Sequence, residues 1–267
     1  MRVNGKVIVV TGGGSGMGRE MVLELLRRGA RVAAVDISAE GLARTLELAG
    51  ENHARVSTHV VNIAERAAVE ALPEAVIAAH GAVDGLINNA GIIQKFITFN
   101  ELTIDEIERV MHINYYGAIF VTKAFLPHLL KRPEGHIVNI SSMGGFLPVP
   151  GQTIYGSSKA AIKLFTEGLN SELKATAVRV TVVFPGAIDT NITVNSGLMT
   201  QAERDNLKSA YKMTTADVAA RTILDGMEKD SYRVLVGNDA KMMDIYSRLM
   251  PEKAATLIYK NMKNLIK

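Results

Sequence analysis

Tyr155 and Lys159 stand four residues apart in the stretch Gln152 to Lys163, QTIYGSSKAAIK, and on a helix that spacing puts both side chains on one face. A phenol with a pKa near 10 is a poor acid or base at neutral pH, but an ammonium beside it favours the phenolate and moves the group toward useful values. The pair is a candidate proton-transfer device. A bare Tyr-x3-Lys is more commonly a tyrosine packed on a helix above a solvated lysine, so its meaning depends on the rest of the chain. Six histidines, at positions 53, 59, 80, 112, 128 and 136, have no ligand spacing, and the absence of cysteine removes disulfides, a Cys nucleophile and thiolate metal sites. No metal is expected.

The elements that would position the pair are legible from periodicity. Lys6 to Thr11, KVIVVT, is a continuous apolar run that predicts a strand buried on both faces, and therefore a parallel sheet. It leads into Gly12-Gly13-Gly14-Ser15-Gly16-Met17-Gly18, after which Met21, Val22, Leu25 and Leu26 give Glu20 to Arg28 a helical apolar stripe that Gly29 ends. Strand, glycine loop and helix N-terminus together form a place for phosphate. A second strand, Ala30 to Val35, ends at Asp36, 18 residues past Gly18, where a dinucleotide site needs an acceptor for ribose hydroxyls. Further strands are predicted over Arg55 to Asn62, Val83 to Asn88, His136 to Ser141, Arg179 to Phe184 and Tyr232 to Val236. Helices are predicted over Ala64 to His80, interrupted near Pro73, and within Leu102 to Lys131, where Ile104, Ile107, Val110, Met111 and Asn114 keep helical spacing. This alternation predicts a single α/β domain, a Rossmann-type, doubly wound, seven-stranded parallel sheet with helices on both faces. A chain of 267 residues with 48% hydrophobic residues, 7 prolines and no linker agrees with one domain.

The glycine spacing departs from G-x-G-x-x-G, since Met17 stands where a third glycine would fall, and matches T-G-x3-G-x-G through Thr11, Gly12, Gly16 and Gly18. Asn88-Asn89-Ala90-Gly91, Asn114 in HINYYG, Ser142 placed 13 residues before Tyr155, the Tyr155/Lys159 pair and Pro185-Gly186 follow in order. Through these motifs the chain resembles the classical short-chain dehydrogenases/reductases over most of its length. The T-G-x2-G-x2-G of sugar-nucleotide epimerases and the Y-x6-K of enoyl reductases are not matched. The resemblance implies a general acid/base at Tyr155, a Lys159 that lowers its pKa and binds the nicotinamide ribose, a Ser142 that orients and polarises the carbonyl, and an Asn114 that holds a relay water. Ser141, one residue off, is expected to point away.

It also implies a dinucleotide held by Gly12, Ser15, Gly16, Met17, Gly18, Asp36, Ile37, Asn62, Ile63, Asn89, Ala90, Gly91, Tyr155, Lys159, Pro185, Gly186, Ile188 and Thr190. Asn62 stands where the family often has an Asp for the adenine amine, the Ile188 backbone would bond the carboxamide, and the Thr190 hydroxyl the amide or a phosphate. NAD is expected in preference to NADP: Asp36 would repel a 2′-phosphate, and the positions where NADP enzymes of the family carry a base are here Ser15 and Ile37. Arg19, the nearest other cation, is expected to be solvated or turned to phosphate.

Hydride transfer between a nicotinamide and a secondary alcohol or ketone follows from the resemblance. Ile93, Phe96, Met143, Phe146, Leu147, Leu198 and Met199 are expected near the substrate, and their apolar character points to an aliphatic, cyclic, steroid-like or 3-oxoacyl compound. Residues 191–214 are expected to form a substrate lid and 239–267 a helical C-terminal tail. Ala254 to Lys267, amphipathic and basic, is expected to pack on a neighbouring subunit or the lid in preference to a membrane surface. A homo-oligomer is expected by resemblance, a tetramer before a dimer. A net charge of +3 and 5% aromatic residues give no basis for a nucleic-acid partner. With no signal-peptide pattern and no apolar run near the ~20 residues of a bilayer span, a cytoplasmic location is expected. The alternative is a catalytically silent nucleotide-binding regulatory protein of the same fold, which predicts damage to the four catalytic positions.

Overall fold

The computed structural model describes residues 1–198, 200 and 213–266, so Met199 and most of the expected lid lie outside the described residues. Strands β1 (Val7–Thr11), β4 (Gly85–Asn88) and β5 (Gly135–Ile140) are buried at every position, as strands covered on both faces must be. With β2 (Arg31–Asp36), β3 (Val56–Val60), β6 (Val178–Pro185) and β7 (Arg233–Val236) they form one 7-stranded sheet in the order β3-β2-β1-β4-β5-β6-β7. Every pairing is parallel. The order reverses between β1 and β4, so the crossovers on either side leave in opposite directions and a crevice opens at the carboxyl ends of these two strands.

Strand alternation divides the core between two faces. On one, Ile8 and Val10 pack with Met21 and Leu25 of α1 (Gly16–Arg27), Leu42 of α2 (Ala39–Leu48) and Ile223 and Leu224 of α7 (Ala216–Glu228). On the other, Val7, Val9 and Leu86 pack with Val69 and Val76 of α3 (Arg66–His80), Val121 and Phe125 of α5 (Ala118–Leu129) and Leu169 of α6 (Thr153–Glu172). The helix expected to break near Pro73 runs unbroken through it. Val69, Leu72, Pro73 and Val76 are all buried, and that packing outweighs the one backbone bond a proline removes.

The long helix expected within Leu102 to Lys131 is divided. α4 (Ile104–Met111) passes into a π-helical segment, His112–Gly117, before α5 resumes. Asn114 lies in that segment, and inserted π-turns are commonly found at functional sites. The tail forms α8 (Asn238–Leu249) and α9 (Pro251–Met262). Met243, Ala254 and Ile258 close a small core over Leu147, with Met143, Phe146 and Met262 packed against it. Ala254, Ile258 and Met262 of the tail therefore pack on the loop after β5 of their own chain, while Leu257 of the same stripe stays exposed. No described helix is long and apolar enough to cross a membrane.

Candidate active site

The glycine loop folds tightly because two of its glycines have no room for a side chain. A Cβ on Gly18 would fall 2.0 Å from the Gly12 carbonyl oxygen, and Gly12, at φ +70, would place one 2.7 Å from Asn89 Nδ2. Asn89 Nδ2 donates to Thr11 O at 3.0 Å, and Thr11 Oγ1 accepts from the Asn89 and Ala90 N–H groups at 3.0 and 3.1 Å. These bonds draw the carboxyl ends of β1 and β4 together at the crevice. α1 begins there with no side-chain cap and no acid in its first turn, leaving an N-terminus suited to an anion. Asn88 turns into the core instead, donating to Thr122 Oγ1 and Asn139 Oδ1 at 2.8 Å each.

Asp36 is fixed through both oxygens, which accept from the Gly14 and Ser38 N–H groups at 2.9 Å each. Arg19, expected in solvent or on phosphate, is turned inward: it donates to Thr45 Oγ1 at 3.0 Å, to Gly41 O at 3.3 Å and to Gly14 O. One carbonyl of the glycine loop, Gly14 O, and two groups of the helix after β2, Gly41 O and Thr45 Oγ1, hold it. Asn62 Oδ1, expected to accept from an adenine amine, accepts the Ala64 N–H at 3.1 Å and keeps one further lone pair.

α6 presents Tyr155 and Lys159, both lining the crevice, and Ser142 lines it beside them, its hydroxyl acting to lower the pKa of the phenol. Ser142 Oγ is itself placed by the Gly144 N–H at 3.0 Å. Ser141 is committed elsewhere, donating to Lys159 O at 2.7 Å. Lys159 Nζ donates to Ile140 O at 3.1 Å and stands 5.8 Å from the Tyr155 ring centroid. Burial lowers the Lys159 ammonium to about 8. Burial also raises the phenol above its ordinary value of 10, opposed by the Ser142 hydrogen bond. The ammonium is held by a carbonyl and lies over the ring, and desolvation penalises both charged forms.

Asn114 reaches the same place from below. Its Oδ1 accepts from Ile92 N at 2.8 Å, and its Nδ2 donates to Ile92 O at 2.9 Å and to Ser158 Oγ at 3.1 Å. The side-chain amide is therefore occupied by protein, which answers the cost of burying it. A Cβ on Gly91 would lie 3.1 Å from Asn114 Oδ1 and 3.3 Å from Lys159 Nζ, so this glycine lets the two approach.

Every residue expected to hold the dinucleotide lines one cavity of about 520 Å³, together with Ser142, Tyr155 and Lys159. Of the expected substrate contacts, Ile93, Phe96 and Met143 line it. Phe146 and Leu147 do not: Phe146 meets Phe184 edge to face, with ring centroids 5.4 Å apart, and Leu147 is buried under the tail. Leu198 is also absent from the wall. Apolar Val149, Ile192 and Met262 and polar Gln152 and Arg109 also line the cavity. Of these, only Met262 had a sequence signal, its place on the apolar stripe of the tail. Asp239 was missed too: its Oδ2 accepts the Ala187 N–H at 2.7 Å and lies 2.2 Å from where a Gly186 Cβ would be, so carboxylate and glycine together set the loop after β6. Among the described residues no cluster of three potential metal ligands occurs.

The arrangement can pass a proton to or from a substrate oxygen beside a bound dinucleotide. A family model described as short chain dehydrogenase matches residues 6–201. The putative oxidoreductase SadH of Mycobacterium tuberculosis is 39% identical over 260 residues, covering 95% of this chain and 94% of that protein. A short chain dehydrogenase/reductase from Burkholderia phymatum in complex with NAD superposes with a TM-score of 0.83 at 25% identity, covering 93% of this chain and 96% of that one. ElxO with NADP bound superposes with a TM-score of 0.75 at 25% identity, covering 87% and 96%. The chain belongs to the short-chain dehydrogenase family, an NAD(P)-dependent oxidoreductase acting on CH–OH or keto groups.

Proposed function

We propose that the protein interconverts a hydrophobic secondary alcohol and its ketone with NAD(H) as redox partner. The observation that carries this reading is that Ser142, Tyr155 and Lys159 share the wall of one cavity with the glycine loop and Asp36. The residues fit the dinucleotide: the loop leaves no space for Cβ atoms at Gly12 and Gly18, and the uncapped N-terminus of α1 suits a pyrophosphate. Bound, the nicotinamide supplies the hydride acceptor or donor. Tyr155 Oη takes or returns the proton on the substrate oxygen, and Ser142 Oγ hydrogen-bonds that oxygen and orients it. Lys159, held by Ile140 O, supplies positive charge beside the phenol. Ile93, Phe96, Val149 and Met262 support an apolar substrate.

NAD in preference to NADP rests on Asp36. The carboxylate is anchored on both oxygens and Arg19 is engaged elsewhere, so a 2′-phosphate would meet a fixed like charge. The cost is roughly 2 to 4 kcal/mol, or about 30 to 1,000-fold in kcat/KM. The same reading carries a homo-oligomer, since Ile104, Tyr116 and Leu164 are exposed on the elements that hold Asn114 and Tyr155; a monomer in sedimentation contradicts it. NAD⁺ reduction with a panel of secondary alcohols tests the reaction and the pocket together. Turnover should favour aliphatic or cyclic alcohols, and turnover confined to polyols and sugars would exclude the apolar pocket. Cofactor binding without any turnover would point to the silent regulator.

A further inference from the structure

We infer that Gln94 is a positioning residue for proton transfer, holding the first turn of α6, and with it Tyr155, against the opposite wall of the cavity; this rests on the role given to Tyr155 above. α6 opens at Thr153 with no hydrogen bond from the side chain of its own N-cap residue, Gln152. The first N–H groups of a helix have no partner within it. Here they are met from 60 and 61 positions away: Gln94 Oε1 accepts from both Ile154 N and Tyr155 N at 2.8 Å, while its Nε2 donates to Gly151 O at 3.0 Å.

Gln152 returns the contact, its Nε2 donating to Gln94 O at 2.9 Å and Lys95 O at 3.4 Å. Both side chains are buried, at 4% and 2% exposure. The orientation of each amide is fixed by its partners, because exchanging oxygen and nitrogen would set donors against N–H groups and acceptors against carbonyls. The segment that carries Gln94 is itself held, at Ile92 by Asn114 and at Ile93 by Ser196 Oγ, which accepts the Ile93 N–H at 3.1 Å. Gly151, at φ +73, lets the two backbones pass closely, since a Cβ there would lie 3.3 Å from Phe96 Cα.

The consequence is a direct bond between the backbone of Tyr155 and the wall formed by Ile93 and Phe96. Losing it leaves two N–H groups unpaired, and the first turn relaxes toward other partners. Misplacement of a reacting group by about 1 Å costs up to ~100-fold in rate.

The test compares Gln94→Met, which keeps the volume and removes both polar functions, with Gln94→Glu, which keeps the acceptor for the two N–H groups. Tyr155→Phe is the reference. In Gln94→Met, kcat should fall about 10 to 100-fold while the Kd for NAD, read by fluorescence titration, stays within about twofold. Gln94→Glu should hold kcat within about fivefold of wild type, and it is the loss in Gln94→Met, at unchanged volume, that a merely space-filling role would not produce. Should Gln94→Met not fold, Gln94→Leu, which also lacks the acceptor, takes its place in the comparison. A Gln94→Met enzyme with wild-type kcat, or a Gln94→Glu enzyme as slow as Tyr155→Phe, overturns the role of Gln94. An active Tyr155→Phe overturns the reading beneath it instead.

Discussion

Lys159 carries the tension of this site in one residue, a buried ammonium whose pKa has fallen from 10.5 to about 8. Because the folded value lies below the unfolded one, its destabilisation is fully present below pH 8 and is relieved as pH rises toward 10.5. A fall of that size corresponds to roughly 3 kcal/mol, net of the bond to Ile140 O. Lys159→Met should therefore raise stability at pH 7 by about 1 to 3 kcal/mol in denaturant titration while removing activity; an unchanged or lower stability contradicts the desolvation account. Asp36→Ala should shrink the NAD/NADP ratio of kcat/KM from roughly 30 to 1,000-fold toward unity by admitting the 2′-phosphate and weakening NAD binding. A ratio that survives the substitution would remove Asp36 from cofactor choice. Tyr155, the motif glycines and Asp36 could be picked out by residue type and local spacing and Ser142 only through the family resemblance, and all of them line the one cavity. Gln94 and Asp239 could not be picked out, because what each does depends on a partner 60 or 52 positions away.

Strands were legible as elements because those covered on both faces must be apolar throughout, and β1, β4 and β5 are. The π-helical turn at His112–Gly117 was not, since helical spacing continues through it. What accompanies the turn is tertiary: Asn114 bound to Ile92 and Ser158, and Gly117 packed where a Cβ would meet Ile63 Cδ1 at 2.7 Å. The apolar stripe of the tail was visible, while the surface it covers, Leu147 with Met143 and Phe146 on the loop after β5, was expected to face the substrate instead. With α9 on that loop, Met262 becomes part of the cavity wall. Met262→Ala should raise KM for apolar substrates roughly fivefold, the equivalent of about 1 kcal/mol of lost contact, and leave the Kd for NAD unchanged. Equal KM values across an alkyl-chain series would place the substrate elsewhere.

At the scale of the molecule, the parallel sheet brings residues from Gly12 to Met262 to one crevice at its carboxyl edge, and its opposite edge carries an acid-sensitive lock. His136 is fully buried, bonded through Nε2 to Thr181 Oγ1 at 2.9 Å, with Nδ1 3.3 Å from Asp230 Oδ1, which also takes the N-terminal ammonium at 2.6 Å. Burial, reinforced by the neighbouring N-terminus, holds its pKa well below the ordinary 6.5. The unfolded chain then binds the proton first, so stability falls as pH drops below 6.5. His136→Gln should flatten the unfolding free energy between pH 6.5 and 5 relative to wild type; parallel curves would contradict it. The central claim concerns one proton, on Tyr155. Phe at that position fills the same space and cannot pass it, so the most direct measurement is kcat and cofactor Kd for Tyr155→Phe. The account predicts a kcat lower by ~10² to 10⁴-fold with the Kd for NAD essentially unchanged, and a kcat within threefold of wild type would contradict it.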